Sequence, residues 1–280
     1  MDKPVLTILL MARDRPHYIG ATLDSISAQT LGDWALVLSD NSTSEANAQE
    51  NNRQLEAFRS RHPDRPITYM RRNGAMTVNE HYIALVREVQ TLLLAVHNDD
   101  DIWMPHHLEQ SVGWLVEDER NGLVVSDAVL IDTQGQLLGS NLNWVEAPAE
   151  DDEYRWLHIW SRNDTSNFGN FPGMVMRTAM IQTLPNIPNI LTDVFTAYWN
   201  TIRGYRHKCF VAPSYCYRKH SLTVSLLSKS LVMERHRLLV WLARHHFFSV
   251  VSRYPPFPLL VLKAMIALKL KYKESIHDCL

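Results

Sequence analysis

Residues 92–105 read LLLAVHNDDDIWMP: an apolar run, a His, an Asn, three consecutive Asp, then Ile-Trp-Met and a Pro. The apolar run has the length and continuity of a strand buried on both faces. Three carboxylates at its end repel one another, and a buried charge costs several kcal/mol unless it is compensated. Two readings follow: a solvated acidic turn, or a cation site. A hard divalent cation takes one or two carboxylates together with substrate phosphates. Alternate residues of an extended segment point the same way, so Asp99 and Asp101 are expected to reach one ion or its phosphates while Asp100 points elsewhere.

Working outward, strand and helix patterns alternate. Residues 5–12 (VLTILLMA), 34–40 (WALVLSD) and 66–70 (PITYM) read as strands, and 92–96 as a fourth. Ile19, Leu23 and Ile26 recur at helical spacing within 19–29; residues 75–90 and 108–117 also read as helices, and GLVVSDAVLID (122–132) as a strand. This alternation predicts an α/β fold with a mostly parallel central sheet flanked by helices. Ligands of such sheets bind beyond the carboxyl ends of the strands. Asp14, Asp40, Arg71 and the acidic triplet each follow a strand candidate. Beyond Asp132 the pattern blurs. Residues 147–173 are predicted as loops over the sheet edge, where the Trp residues from Trp144 to Trp160 either line an acceptor groove or pack the loops. Residues 190–202 read as a helix with Asp193 near its start, and HKCFVAPSYCYRKHS (207–221) as a strand ending in a basic turn.

The chain has 280 residues, 46% of them hydrophobic, enough for one large domain or for a domain with an appendage. A net charge of −2 gives no global field for nucleic acid. Cys209, Cys216 and Cys279 form no close metal-like pair and suggest reduced thiols. The histidines lack zinc-like spacing. Arg13–Pro16 follow the first apolar run where a signal peptide would carry small residues, and no run is long enough to span a bilayer, so the protein is expected on the cytoplasmic side. From Ser228 onward Lys and Arg outnumber acids in two apolar stretches broken by Pro255, Pro256 and Pro258. Residues 226–280 are therefore predicted to form a basic, amphipathic helical extension of a domain at 1–225. That extension either caps the core or lies on an anionic membrane surface.

An ordered series of motifs resembles the family 2 glycosyltransferases, nucleotide-sugar-dependent enzymes of the GT-A fold. The pieces are VLTILLMARDRPHYIGATLDSISAQT, WALVLSDNST, ITYMRRNG with NEHYIAL, NDDDIWMPHHLEQ, GNFPGMVMRTAM, LTDVF and YRKHSLTVS, together covering roughly residues 4–225. The resemblance implies a nucleotide-sugar pocket edged by Ala12, Arg13, Asp14 and Arg15, with Asp40 on the base and Arg71 or Arg72 beside the base or diphosphate. Asn79, Asp99 and Asp100 complete the implied donor contacts. It implies a Mn²⁺ or Mg²⁺ ion on Asp101, Asp99 and His220, with Asp101 the leading ligand, and Asp193 as the catalytic base.

The resemblance also implies inverting transfer of a single sugar from a nucleotide-sugar donor to a glycan or lipid-linked acceptor. The setting it implies is surface-polysaccharide assembly (O-antigen or capsule type) at the inner face of the cytoplasmic membrane. Two departures stand out: Asp14 replaces the family's usual Asn, and Thr-Asp-Val replaces a commoner Glu-Asp pair. No Gln-x-x-Arg-Trp segment of the processive synthases is present, which favours one sugar per visit. Two rival readings remain: a metal-dependent sugar-nucleotide enzyme such as a pyrophosphorylase, and a catalytically silent nucleotide-sugar or glycan-binding protein. MARDRPHYIG is a poor phosphate loop for the first.

Overall fold

The computed structural model describes residues 4–140, 171–185 and 192–220, with 240, 241, 243 and 244. The described strands form one nine-stranded sheet. Its first half is a parallel block: β1 (Leu6–Ala12), β2 (Trp34–Asp40), β3 (Ile67–Arg71) and β4 (Leu93–Asn98). Within it β1 pairs with both β2 and β4, and β2 with β3. The second half contains β5 (Ile102–Trp103), β6 (Asn121–Ile131), β7 (Leu137–Ser140), β8 (Met174–Arg177) and β9 (Arg206–Arg218). Strand order is β3-β2-β1-β4-β8-β6-β9-β5, with β7 beside β6. Strand β8 inserts antiparallel between β4 and β6, while β6 and β9 run parallel. The expected mostly parallel α/β architecture is present, with an antiparallel insert that has no local signature in the sequence.

The continuous apolar runs are explained by cover on both faces. Every residue of β1 is buried, and its side chains alternate between two cores. Leu6, Ile8, Leu10 and Ala12 join a core with α1 (Pro16–Ser27), α2 (Glu45–Arg61) and α4 (His107–Glu117); Leu9 and Met11 face a core with α3 (Val78–Glu88), α5 (Thr178–Ile181) and α6 (Thr192–Ile202). The same alternation splits Leu93 and Ala95 from Leu94 and Val96 on β4. Helix α3 starts at a capping box, with Thr77 and Glu80 exchanging hydrogen bonds. Helix α2 is not among the helices expected from the sequence. It is a 17-residue helix whose buried stripe is only Ala48, Asn51, Leu55 and Phe58. Ser44 caps it by accepting from Asn47 N–H. So narrow a stripe in so polar a segment leaves little apolar periodicity to read.

The boundary expected at residue 225, and most of the basic extension, lie outside the described residues, as do the Trp residues from Trp144 to Trp160. At residues 240, 241, 243 and 244 the chain is helical. Trp241 and Ala243 pack against the α3–α6 core, with Trp241 edge-on to Phe195 at 5.3 Å. Among the described residues no helix is long and apolar enough to cross a membrane.

Four buried histidines among the described residues make this fold acid-sensitive: His81, His97, His107 and His207, with burial holding His97 well below its ordinary value. Burial lowers His81 to about 4, with the Arg72 charge adding to the effect, and burial alone lowers His107 and His207 to about 3. Unfolded, each titrates near 6.5. Below that pH the unfolded chain takes up protons that the native chain refuses, so these groups subtract stability as pH falls from about 7 toward 4 and leave it flat above 7. Urea midpoints measured at pH 7, 6 and 5 should fall steadily, and His207→Gln should flatten that slope.

Candidate functional site

The register of the parallel block brings four strand ends level. Ala12 pairs with Asp40, Asp40 with Arg71, and Met11 with Asn98. Strand order reverses at β1: β2 and β3 lie on one side and β4 on the other. The crevice beyond β1 and β4 is thus the switch point where α/β sheets place ligands. The loops that follow these strands carry most of the residues expected from the sequence.

Asp14 holds two of these loops together. Its backbone adopts φ +56°, a left-handed conformation that Asp tolerates better than most residues. Its amide donates to Ser42 Oγ at 2.9 Å. Its carboxylate accepts from Thr43 N (2.9 Å), Ser44 N (3.3 Å) and Asn47 Nδ2 (3.2 Å) through one oxygen, and from Thr43 Oγ1 (2.8 Å) through the other. Partial burial pushes the carboxyl up, but the Thr43, Asn47 and Ser44 donors outweigh it and leave it below its ordinary value. An anchor with this many donors favours a carboxylate over the amide that the resemblance led one to expect.

The triplet at 99–101 is a turn, and the period-two alternation expected of an extended segment does not apply. Asp99 and Asp100 share one cation: the Arg15 guanidinium, projected from the residue that precedes α1, pairs with Asp99 Oδ1 and Asp100 Oδ2. Asp99 Oδ2 accepts the Arg13 amide at 2.8 Å. His220 Nε2 lies 2.8 Å from Asp100 Oδ2 and 3.0 Å from Arg15 Nη1, so it either donates to the carboxylate or accepts from the guanidinium. Asp101 is turned away. Its Oδ1 accepts the Arg218 amide (2.8 Å), its Oδ2 accepts Asn98 Nδ2 (3.3 Å), and its carbonyl accepts Thr22 Oγ1 (2.9 Å). The geometry therefore pairs Asp99 with Asp100 and gives Asp101, the expected leading metal ligand, the task of tying the turn to β9.

Burial drives the electrostatics here. It pushes the Asp99 carboxyl up to about 7, against the lowering pull of Arg15 and with Asp100 adding to the rise. Burial and the Asp100 charge push Asp101 well up. Beneath the turn, the Trp103 ring stacks on His97 at 4.0 Å and on His107 at 4.8 Å, and its Nε1 donates to Pro172 O at 2.6 Å.

The remaining expected residues are placed as follows. Asp40 is fully buried: its Oδ1 accepts Ser42 N (2.8 Å), and its Oδ2 accepts Asn51 Nδ2 and Tyr69 Oη (both 3.0 Å). As placed, it ties β2 to α2 and β3. Arg71 Nη1 donates to the Asp40 carbonyl (3.2 Å), and Arg72 reaches Ser39 Oγ (3.0 Å) and Glu88 (3.2 Å). The Ala12 carbonyl accepts the Asn41 amide at 2.9 Å, and Ala12 leads into the Arg13–Arg15 loop. Asn79 is buried in the first turn of α3. Asp193 is half-buried in the first turn of α6, and its charge adds to the burial that pushes Tyr82 up.

Sequence reasoning missed Arg218. Its Nε donates to the Asp100 carbonyl (2.8 Å), its Nη1 to the Asp132 carbonyl (2.8 Å), and its guanidinium lies 4.6 Å above the Tyr18 ring. The available signal was its two-residue spacing from His220 at the end of a strand, which directs both toward the turn.

The family model described as Glycosyl transferase family 2 matches residues 7–174. The chain belongs to that family. No curated protein matches it. Among solved structures, S. aureus TarS 1-349 is similar with a TM-score of 0.63 and 10% identity, over 94% of this chain and 72% of that one. The same protein in complex with UDP-GlcNAc gives 0.65 at 10% identity, over 93% and 71%. The mannosyltransferase PcManGT from Pyrobaculum calidifontis, in complex with GDP-Man and Mn²⁺, gives 0.58 at 17% identity, over 96% and 70%. At such identities the structural likeness speaks to the fold, which is the GT-A type expected from the motif series. Of this family 2 glycosyltransferase, residues 7–174 carry β1 to β4, the acidic turn and the Trp103 floor, while Arg218 and His220 close the turn from beyond the matched segment.

Replacing the Asp14 anchor tests the loop architecture. Asp14→Ala loses a capping interaction worth about 1 kcal/mol and forces Ala into a left-handed conformation costing about 1–2 kcal/mol. Chemical denaturation should show a loss of about 2–3 kcal/mol, most of it recovered by Asp14→Asn.

Proposed function

We propose that this protein is a metal-dependent, inverting glycosyltransferase that moves one sugar from a nucleotide-sugar donor to a glycan or lipid-linked acceptor. The observation that carries the reading is the buried Asp99–Asp100 pair, delivered by β4 to the switch point of a family 2 sheet. Among the described residues no three His, Cys, Asp or Glu side chains form a ready-made metal cage. The carboxylate pair nonetheless fits a divalent cation that brings phosphate oxygens and water with it. Asp99 Oδ1 is buried, accepts no aligned hydrogen bond and pairs with the Arg15 guanidinium. Asp99, Asp100 and His220 would hold the ion, and bound there it would neutralise charge on the departing diphosphate.

The chain's own residues supply the rest. The Arg13–Arg15 loop and Arg71 and Arg72 line the donor side, with Asp40 and Asn79 shaping the base and ribose end. Asp193 takes the proton of the acceptor hydroxyl as its oxygen attacks the anomeric carbon. The bond to the diphosphate breaks on the opposite face, which inverts that centre. The donor chemistry is that of a UDP- or GDP-hexose, the classes named for the TarS and PcManGT complexes. The acceptor pathway is surface-polysaccharide assembly. Residues 1–225 form the transferase domain, and the basic extension 226–280 sits on anionic lipid at the inner membrane face while its Trp241 side rests on the core.

Thermal unfolding with UDP, GDP, UDP-GlcNAc and GDP-Man, each with Mn²⁺ or Mg²⁺, tests the donor reading. A ligand at 100 times its Kd adds about 2.7 kcal/mol, a shift of several degrees. One nucleotide class should give that shift and slow metal-dependent release of nucleoside diphosphate. Asp193→Asn should keep the shift and lose about 10²–10⁴-fold in transfer. No shift with any donor would refute the proposal, and near-normal turnover of the Asn variant would place the base elsewhere.

The tail is tested separately. Replacing Lys263, Lys269, Lys271 and Lys273 by Gln should abolish sedimentation with phosphatidylglycerol vesicles while leaving the donor shift intact. Unchanged sedimentation would refute the membrane role.

A further inference from the structure

We infer that Arg15 is a resident counter-ion of the acidic turn, occupying the place of the divalent cation and leaving as that cation enters. The inference rests on the metal-dependent reading above and assigns a positioning role to a residue beside the metal.

The geometry supports exchange rather than a permanent ion pair. One guanidinium bridges carboxylates of two different residues, Asp99 Oδ1 and Asp100 Oδ2, as a divalent ion would. The contact to Asp99 Oδ1 is poorly aligned for a hydrogen bond, so charge attraction is the main force holding the guanidinium at this buried oxygen. A guanidinium placed as a structural lock makes parallel, aligned N–H bonds to one carboxylate. The partners also differ in freedom. The carboxylate side chains are 1% and 8% exposed, whereas that of Arg15 is 25% exposed, so it forms the solvent side of the cluster. The carboxylates are fixed from other directions: the Arg13 amide holds Asp99, and the Arg218 Nε holds the Asp100 backbone. Withdrawing Arg15 thus leaves the turn in place, with Asp99 Oδ1 released and Asp100 Oδ2 keeping only its contact to His220 Nε2.

There is a physical reason to keep such a counter-ion. Without any cation, Asp99 and Asp100 would be two like charges sharing a dry site, and removing the partner of a buried charge is strongly destabilising. Arg15 carries the turn through the metal-free state. Once displaced it stands at the rim of the same crevice, where its planar fork suits a phosphate group.

The test is Mn²⁺ binding to the full chain in the absence of donor, followed by electron paramagnetic resonance, for wild type, Arg15→Ala and Arg15→Lys, with thermal unfolding alongside. The expected result for Arg15→Ala is a lower unfolding temperature without metal, a Kd for Mn²⁺ at least about tenfold tighter than wild type, and recovery of the unfolding temperature on adding Mn²⁺. Arg15→Lys, which keeps one charge but cannot bridge, should fall between, and it decides the matter if the Ala variant does not fold. Equal or weaker Mn²⁺ binding by both variants would overturn the inference, as would a stability loss that Mn²⁺ does not repair. Donor binding by the wild type is read separately: tighter Mn²⁺ binding in the variants with no donor shift in the wild type would refute the transferase proposal and leave the exchange standing.

Discussion

Two carboxylates buried side by side require a cation, and the chain supplies it from sequence positions far from the acids. Asp99 and Asp100 end β4; Arg15 comes from the loop after β1, and His220 and Arg218 from the end of β9. Each partner is non-local, so the cluster exists only when the parallel block, the antiparallel insert and β9 are all in register. The acidic turn is therefore the point on which the two halves of the sheet agree. Its stability reports on the whole fold rather than on one loop.

The parallel block explains why the site lies where it does. A strand buried on both faces can place polar groups only at its ends, and pairing of Ala12 with Asp40 and of Met11 with Asn98 sets those ends at one level. From there the loops divide the work. The Asp14 loop fixes backbone between β1 and α2, the Asp40 network fixes β2 against α2 and β3, and the acidic turn faces the crevice. Asp40 and Asp14 are acids too, but their oxygens are met by neutral donors. The Asp99–Asp100 pair differs in being met chiefly by cations.

Much of this was legible in the sequence. Strands β1 to β4 announced themselves as continuous apolar runs, and helices α1, α3 and α4 as apolar residues at helical spacing. The placement of Asp14, Arg15, Asp99, Asp100 and His220 near one edge followed from those assignments and the motif order. Three things were not legible. Helix α2 hides its narrow buried stripe in a polar sequence. Strand β8 has four residues and is defined by partners more than 45 positions away. Within the triplet, the pairing of Asp99 with Asp100 and the separate bonding of Asp101 depend on a turn, which alternation along an extended strand cannot foresee.

The hydrogen bond from Trp103 to the Pro172 carbonyl reaches further than its place in the floor suggests. It joins the residue two positions past the acidic turn to the short 3₁₀ turn Phe171–Gly173 that leads into β8. The position of Phe171–Gly173 relative to Asp99 and Asp100 is set by that one indole bond and by the His97 and His107 rings that hold the indole. Trp103 is thereby a spacer that sets the separation between the acidic turn on one side and the start of β8 on the other.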